Sequence, residues 1–239
     1  AAAFSDYSCN IYTVGETLSR VATFDQNQSA IIGIKFSTTH QSLLYTAFSD
    51  GYIMLYDLRS NGRAVTQYQE DTVRQMKNLA SFAIAPDERI MAGGTEYRDG
   101  DSFILFWDTR YPTSKAHGKR TTMGGYWESH TDDVTTLRFH PIRRDILASG
   151  STDGLINIFD LAQPNEDSAL MHSLNTESSV VSFIPIMWNN CLVTGGEGGI
   201  VSIWKYEEPE LLQSNCNHKL HSKIHKAKGR DRLHKVKPY

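Results

Sequence analysis

The chain has 239 residues, 40% of them hydrophobic and 21% charged, and a formal net charge of −3. That length suffices for one all-β domain with a sizeable core, and no apolar run approaches the roughly 18 residues a membrane-spanning helix needs. Cys9, Cys191 and Cys216 are odd in number and widely spaced, which suits neither a disulfide framework nor a zinc site.

Along the chain, one pattern recurs. Residues 1–24 read as a partial unit, in which residues 1–6 lead into a strand at 9–12 with a second strand at 21–24 behind it. A first full unit covers 25–60: a run at 31–36, then Tyr45, Thr46, Ala47, Phe48, Ser49, Asp50 and Gly51, then Leu55, Tyr56 and Asp57. A second, 72–111, has a run at 79–84, the small residues Ala92, Gly93 and Gly94, the turn Asp99-Gly100, and Phe106, Trp107 and Asp108. The third, 126–162, has a run at 134–139, then Ala148, Ser149, Gly150, Ser151, Thr152, Asp153 and Gly154, then Ile158, Phe159 and Asp160. The fourth, 178–206, is compressed: a run at 180–184, Thr194, Gly195 and Gly196, the pair Gly198-Gly199, and Ile203, Trp204 and Lys205. The closing positions 57, 108, 160 and 205 lie 51, 52 and 45 residues apart, close to the roughly 40 to 45 residues of a four-stranded propeller blade. Asp-Gly between alternating runs supplies the positive backbone angles of a tight hairpin, so each copy reads as antiparallel strands.

The peptide from Phe106 to Arg110 and the stretch from Ser129 to Gly154 resemble the WD-repeat β-propellers, and the likeness runs from Asp6 to Lys205, strongest over 79–161. The resemblance implies an all-β propeller with about four recognisable blades plus the partial N-terminal one. Relatives usually close a ring of seven blades, so the expectation is an incomplete or open ring, with blades missing between Val180 and Trp188, or a short propeller closed by a partner or a second copy. It also implies a hydrogen-bonded chain of His, Ser or Thr, Asp and Trp, which falls on His130, Ser149, Asp153 and Phe159. Phe159 has no indole donor, so the chain should stop at Ser149. A satisfied buried polar network of this kind fixes one packing, which is a structural role and not a catalytic one. In the first full unit Thr46 and Asp50 match, but Tyr56 replaces the Trp.

Trp107, Asp108, Thr109 and Arg110 fit the Trp-Asp-x-Arg box of WD-repeat substrate receptors for cullin-4 ubiquitin ligases, with Asp57 and Arg59 a near match. An Arg there can fork onto a carboxylate across an interface, or it is an ordinary solvated loop residue.

Residues 218–239 carry six Lys, two Arg and one Asp, a net +7 that leaves −10 on the rest of the chain. Residues 207–239 thus read as a basic, disordered tail, in which Lys219, Lys223, Lys226, Lys228, Arg230, Arg232, Lys235 and Lys237 would contact nucleic acid weakly or direct nuclear import. The four His of this tail lack a fixed scaffold for a metal. No phosphate loop, His-Glu-x-x-His helix or Gly-x-Ser-x-Gly elbow is present. No cofactor is expected. The reading is a non-enzymatic protein-interaction scaffold inside the cell, in nucleus or cytoplasm. The alternatives are a cullin-4 receptor and a chromatin- or RNA-associated adaptor using the tail.

Overall fold

A computed structural model describes residues 1–24, 29–59, 64–69, 77–110, 122–186, 191–196, 201–205 and 210–215. Their alternating sequence folds into five antiparallel sheets in chain order. Strands β1 (Ala2–Ala3), β2 (Cys9–Val14) and β3 (Leu18–Phe24) make a three-stranded sheet. Four four-stranded sheets follow. The second holds β4 (Ile31–Phe36), β5 (Leu43–Phe48), β6 (Ile53–Asp57) and β7 (Ala64–Tyr68); the third β8 (Leu79–Ile84), β9 (Ile90–Thr95), β10 (Ile104–Asp108) and β11 (Gly124–Tyr126). The fourth holds β12 (Thr136–Phe139), β13 (Ile146–Gly150), β14 (Leu155–Asp160) and β15 (Leu170–Asn175); the fifth β16 (Val180–Ile186), β17 (Cys191–Gly196), β18 (Val201–Lys205) and β19 (Glu210–Asn215). A single-turn helix, α1 (Glu166–Ala169), precedes β15, with the Asn165 side chain accepting from the Ser168 N–H as its cap.

The sheets repeat one unit and share most of its irregularities. First and second strands slip register at Ile31/Gly33, Leu79/Ser81 and Val180/Ser182. Third and fourth strands slip at Leu55/Tyr56, Ile158/Phe159 and Ile203/Trp204. Such bulges raise the local twist that a blade needs. Successive sheets are also tied backbone to backbone. The residue entering a first strand donates its N–H to the carbonyl at or just past the end of the second strand of the preceding sheet: Leu79 to Ser49 at 3.1 Å, Val134 to Thr95 at 3.0 Å, Val180 to Ser151 at 3.0 Å.

Because strand side chains alternate between faces, each middle sheet feeds two cores. Leu44 and Tyr56 join Cys9, Ile11 and Phe24 between the first and second sheets, while Tyr45, Ala47 and Ile53 join Phe82, Met91 and Trp107 between the second and third. Phe106 and Tyr126 meet Leu137 and Phe159 in the next seam. Ile156 and Leu174 meet Phe183 and Trp204 in the last. Among the described residues no such cluster joins the fifth sheet to the first.

The unit boundaries differ from those drawn from sequence. Each fourth strand lies past the expected end at 60, 111, 162 or 206, and Tyr126 belongs to the third sheet, not to a unit starting at that residue. Strand β19 lies within the stretch 207–239 assigned to a tail; it pairs with β18 from Lys205↔Glu210 to Val201↔Asn215. These strands carry no turn signal of their own, and β11 is only Gly-Gly-Tyr, so only the partner strand specifies them. The fifth unit is a full four-stranded sheet in which Pro185 lies opposite Leu192. Residues 216–239, with all eight tail cations named above, lie outside the described residues.

Candidate functional site

In each four-stranded sheet the first strand begins, the second ends and the third begins at one end, while the first ends, the second begins, the third ends and the fourth begins at the other. The two ends carry different chemistry.

At the first end, side chains lock the loops to one another. His130 and Asp153 are buried, with Nδ1 3.0 Å from Asp153 Oδ2 and Nε2 2.7 Å from Ser149 Oγ. An ionised Asp153 only accepts, so Nδ1 carries a proton and Ser149 can donate to Nε2 of a neutral ring. Asp153 also accepts the N–H groups of Thr131 at 3.0 Å and Leu155 at 2.8 Å. Burial works to raise the Asp153 carboxyl, but His130 and these two N–H donors hold it below its ordinary value. Ser149 Oγ meets no other hydrogen-bond partner among the described residues, and Phe159 lies fully buried against Tyr126, ring centroids 4.8 Å apart. These contacts fix the geometry of the loops.

On top of this locked layer lies an aromatic surface that the sequence reading did not single out. Trp127 packs edge-on against Phe103, centroids 5.0 Å apart, and the Lys77 ammonium lies 4.8 Å from the centroid of the Phe103 ring. Trp127 is 49% and Tyr97 48% exposed. Their backbones are held: Tyr97 donates its N–H to Asp133 Oδ1 at 2.6 Å, and Trp127 donates to Glu166 Oε2 at 2.7 Å. Phe4 and Tyr7, also exposed, sit on the equivalent hairpin of the first sheet. Tyr97 and Phe103 flank the Asp99-Gly100 turn in sequence, but aromatics near a turn read equally well as strand residues.

At the opposite end, both Asp-x-Arg segments close on themselves. Arg59 donates Nε to Asp57 Oδ1 at 3.0 Å and Nη2 to Oδ2 at 2.7 Å; Arg110 does the same to Asp108 at 2.9 and 2.6 Å. The guanidinium side chains stay 78% and 60% exposed. Arg59, through its side chain and its N–H, holds the Asp57 carboxyl down to about 2, and Arg110 lowers Asp108 likewise. Asp160 makes the same turn without an Arg, accepting the Ala162 N–H at 3.1 Å, so the Asp shapes the loop whether or not the Arg is present. Trp107, the first residue of the box, is buried and donates Nε1 to Gln69 O at 3.2 Å. Beside these loops Glu88, buried, gathers the hydroxyls of Ser37, Thr38 and Thr39 at 2.8, 2.8 and 2.9 Å, tying the second sheet to the third. Among the described residues no group of His, Cys, Asp and Glu could hold a metal ion, and no helix is long and apolar enough to cross a membrane.

Comparison with known proteins agrees with this architecture. Residues 122–160 match the family described as WD domain, G-beta repeat. An uncharacterised WD repeat-containing protein of Saccharomyces cerevisiae is 31% identical over 172 residues, covering 70% of this chain and 39% of its own length. The WD repeat-containing protein 89 homolog of Dictyostelium discoideum is 32% identical over 181 residues, 75% of this chain and 44% of its own length. Chaetomium thermophilum Sqt1, solved bound to the N-terminus of ribosomal protein L10, superposes with a TM-score of 0.66 at 23% identity, covering 88% of this chain and 56% of Sqt1. The chain is a WD-repeat protein of β-propeller fold. It spans about two fifths of the length of these two relatives.

Proposed function

We propose that this chain is a non-enzymatic protein-binding scaffold whose partner sits on the loop end around Trp127, Phe103 and Tyr97. The observation that carries this reading is the pairing of exposed aromatic rings with backbones immobilised by side-chain hydrogen bonds. Aromatic residues supply much contact area for little conformational entropy, and interfaces concentrate their binding energy on such anchors. The Sqt1 structure, in which a related fold holds a protein N-terminus, fits the same use. The test is affinity purification of the chain from cells with quantitative mass spectrometry. Trp127→Ala with Tyr97→Ala should lose the specific partners. Ile142→Ser, at a still more exposed apolar residue of the opposite end, should keep them. Equal recovery by both variants rules out the loop end.

A second reading is that of a cullin-4 substrate receptor. It is favoured by two exposed Arg forks repeated on consecutive sheets at one end of the molecule. Nε and Nη2 of each are already turned onto their own Asp, so an adaptor carboxylate would share a guanidinium that is engaged within its own loop. Arg59→Ala with Arg110→Ala should abolish recovery of adaptor and cullin while leaving the loop-end partners in place. The third reading, nucleic-acid contact through residues 218–239, rests on charge alone. Deleting those residues should remove any salt-sensitive RNA or DNA binding.

A further inference from the structure

The first strands of four sheets line a cavity of about 490 Å³ on the molecule's inner side, a size in the range of small-molecule sites. Its wall holds two charged side chains, Lys35 from β4 and Arg138 from β12, approaching from either side of β8. No Asp or Glu lines it, and neither cation makes an ion pair among the described residues; Arg138 Nη1 reaches only the Leu137 carbonyl, at 3.1 Å. Two of the four lining hydroxyls are turned elsewhere: Ser81 donates to the Val134 carbonyl at 2.6 Å and Thr135 to the Val180 carbonyl. Both cations are partly buried, and burial followed by the Arg138 charge lowers the Lys35 ammonium below its ordinary value. Two like charges brought together away from bulk water, with no counter-charge in the protein, raise the energy of the empty site and are relieved by an anion.

We propose that this cavity binds a small multivalent oxyanion through Lys35 and Arg138, the chemistry shared by polyphosphates and by polycarboxylate metabolites. The ammonium supplies a point charge and the guanidinium a planar fork that matches two oxygens.

The full chain is titrated with inorganic pyrophosphate, and separately with citrate, against sodium chloride at matched ionic strength, following thermal unfolding and heat of binding. Wild type should be stabilised by at least one of the two beyond chloride. Lys35→Gln with Arg138→Gln should bind about tenfold more weakly or worse. In chloride alone that variant should unfold no earlier than wild type, because repulsion has been removed, and Arg138→Lys, which keeps the charge, should retain most of the response. Pyrophosphate alone stabilising identifies phosphate; citrate alone identifies carboxylate; both together identify a site selective for charge. The proposal is overturned if neither anion exceeds chloride, or if the double Gln variant responds as strongly as wild type.

Discussion

Tyr7 holds a backbone angle that glycine holds elsewhere in the repeat. It follows Ser5-Asp6 as Gly51 follows Ser49-Asp50 and Gly154 follows Thr152-Asp153, with φ of 66° against 95° and 86°. All three donate an N–H to the carbonyl three residues back, to Phe4, Phe48 and Ser151. The left-handed region costs an L-residue about 1–2 kcal/mol. At Gly154 an added Cβ would meet nothing nearer than the Ser178 carbonyl at 3.5 Å, so Gly154→Ala should cost about that backbone term alone. Tyr7→Asn, which tolerates the angle better, should gain roughly 0.5 kcal/mol or more. Urea unfolding of the two variants checks both signs. Beside Gly154, Asp153 carries the heavier interaction. Asp153→Ala would strand His130 and two loop N–H donors in a dry site, at a cost of about 3 kcal/mol. His130→Ala should cost less, since the carboxylate keeps its backbone donors. A ranking in which His130→Ala is the worse of the two would show that the ring's packing outweighs the carboxylate's hydrogen bonds.

At the scale of the strand, the contact between sheets depends on a missing side chain. Gly94 and Gly150 occupy the same place in β9 and β13, opposite Ser81 and Thr136, where the next sheet's incoming residue lands. A Cβ on Gly150 would lie 2.8 Å from Val180 Cγ1 and 3.1 Å from the Phe183 ring; on Gly94 it would lie 2.6 Å from Val134 Cγ1. In the second sheet the equivalent is Ala47, fully buried, so that seam accommodates one methyl. Gly150→Val should therefore destabilise by roughly 2–3 kcal/mol or more through overpacking. Trp127→Ala on the rim should stay within about 0.5 kcal/mol. Parallel denaturant curves separate the two, and a tolerated Gly150→Val would mean that the fourth and fifth sheets part easily. Gly150 was legible as a small strand end, but not as a spacer, because its neighbour Val180 is remote in sequence. The same reasoning covers the fourth strands. Asp-Gly turns mark second and third strands because φ requires glycine there, whereas nothing in Gly124-Gly125-Tyr126 or Glu210–Asn215 specifies a strand until a partner edge is present. The loop-end aromatics escaped notice for the opposite reason: a Trp or Tyr beside a strand fits a core pattern equally well, and only exposure distinguishes the two.

For the molecule as a whole, ionisable groups set the pH range in which four seams stay closed. Asp153, Glu88, Asp108 and Asp160 all have folded values below their ordinary ones. For Glu88 burial acts upward, and the Ser37, Thr38 and Thr39 donors reverse it. A carboxylate with a depressed folded pKa adds stability that is complete above its unfolded value and disappears as pH falls through the folded one. The acid limb should thus begin near the ordinary Glu and Asp values of 4.5 and 3.8 and steepen below them. The tyrosines act in the other direction. Burial pushes Tyr45, Tyr56 and Tyr126 up to about 12, and Tyr68 upward as well, from an ordinary 10.0. These four sit one or two to a seam across three seams. Their neutral forms stabilise the fold fully below pH 10 and progressively less as pH rises through 12, since ionising a phenol inside a seam needs that seam to open. Unfolding free energy measured against pH should therefore be flat from about 5 to 9 and fall on both sides. Tyr56→Phe should soften the alkaline limb alone, while Glu88→Gln should soften the acid limb alone. A single variant that moved both limbs would show that the seams do not titrate as separate units.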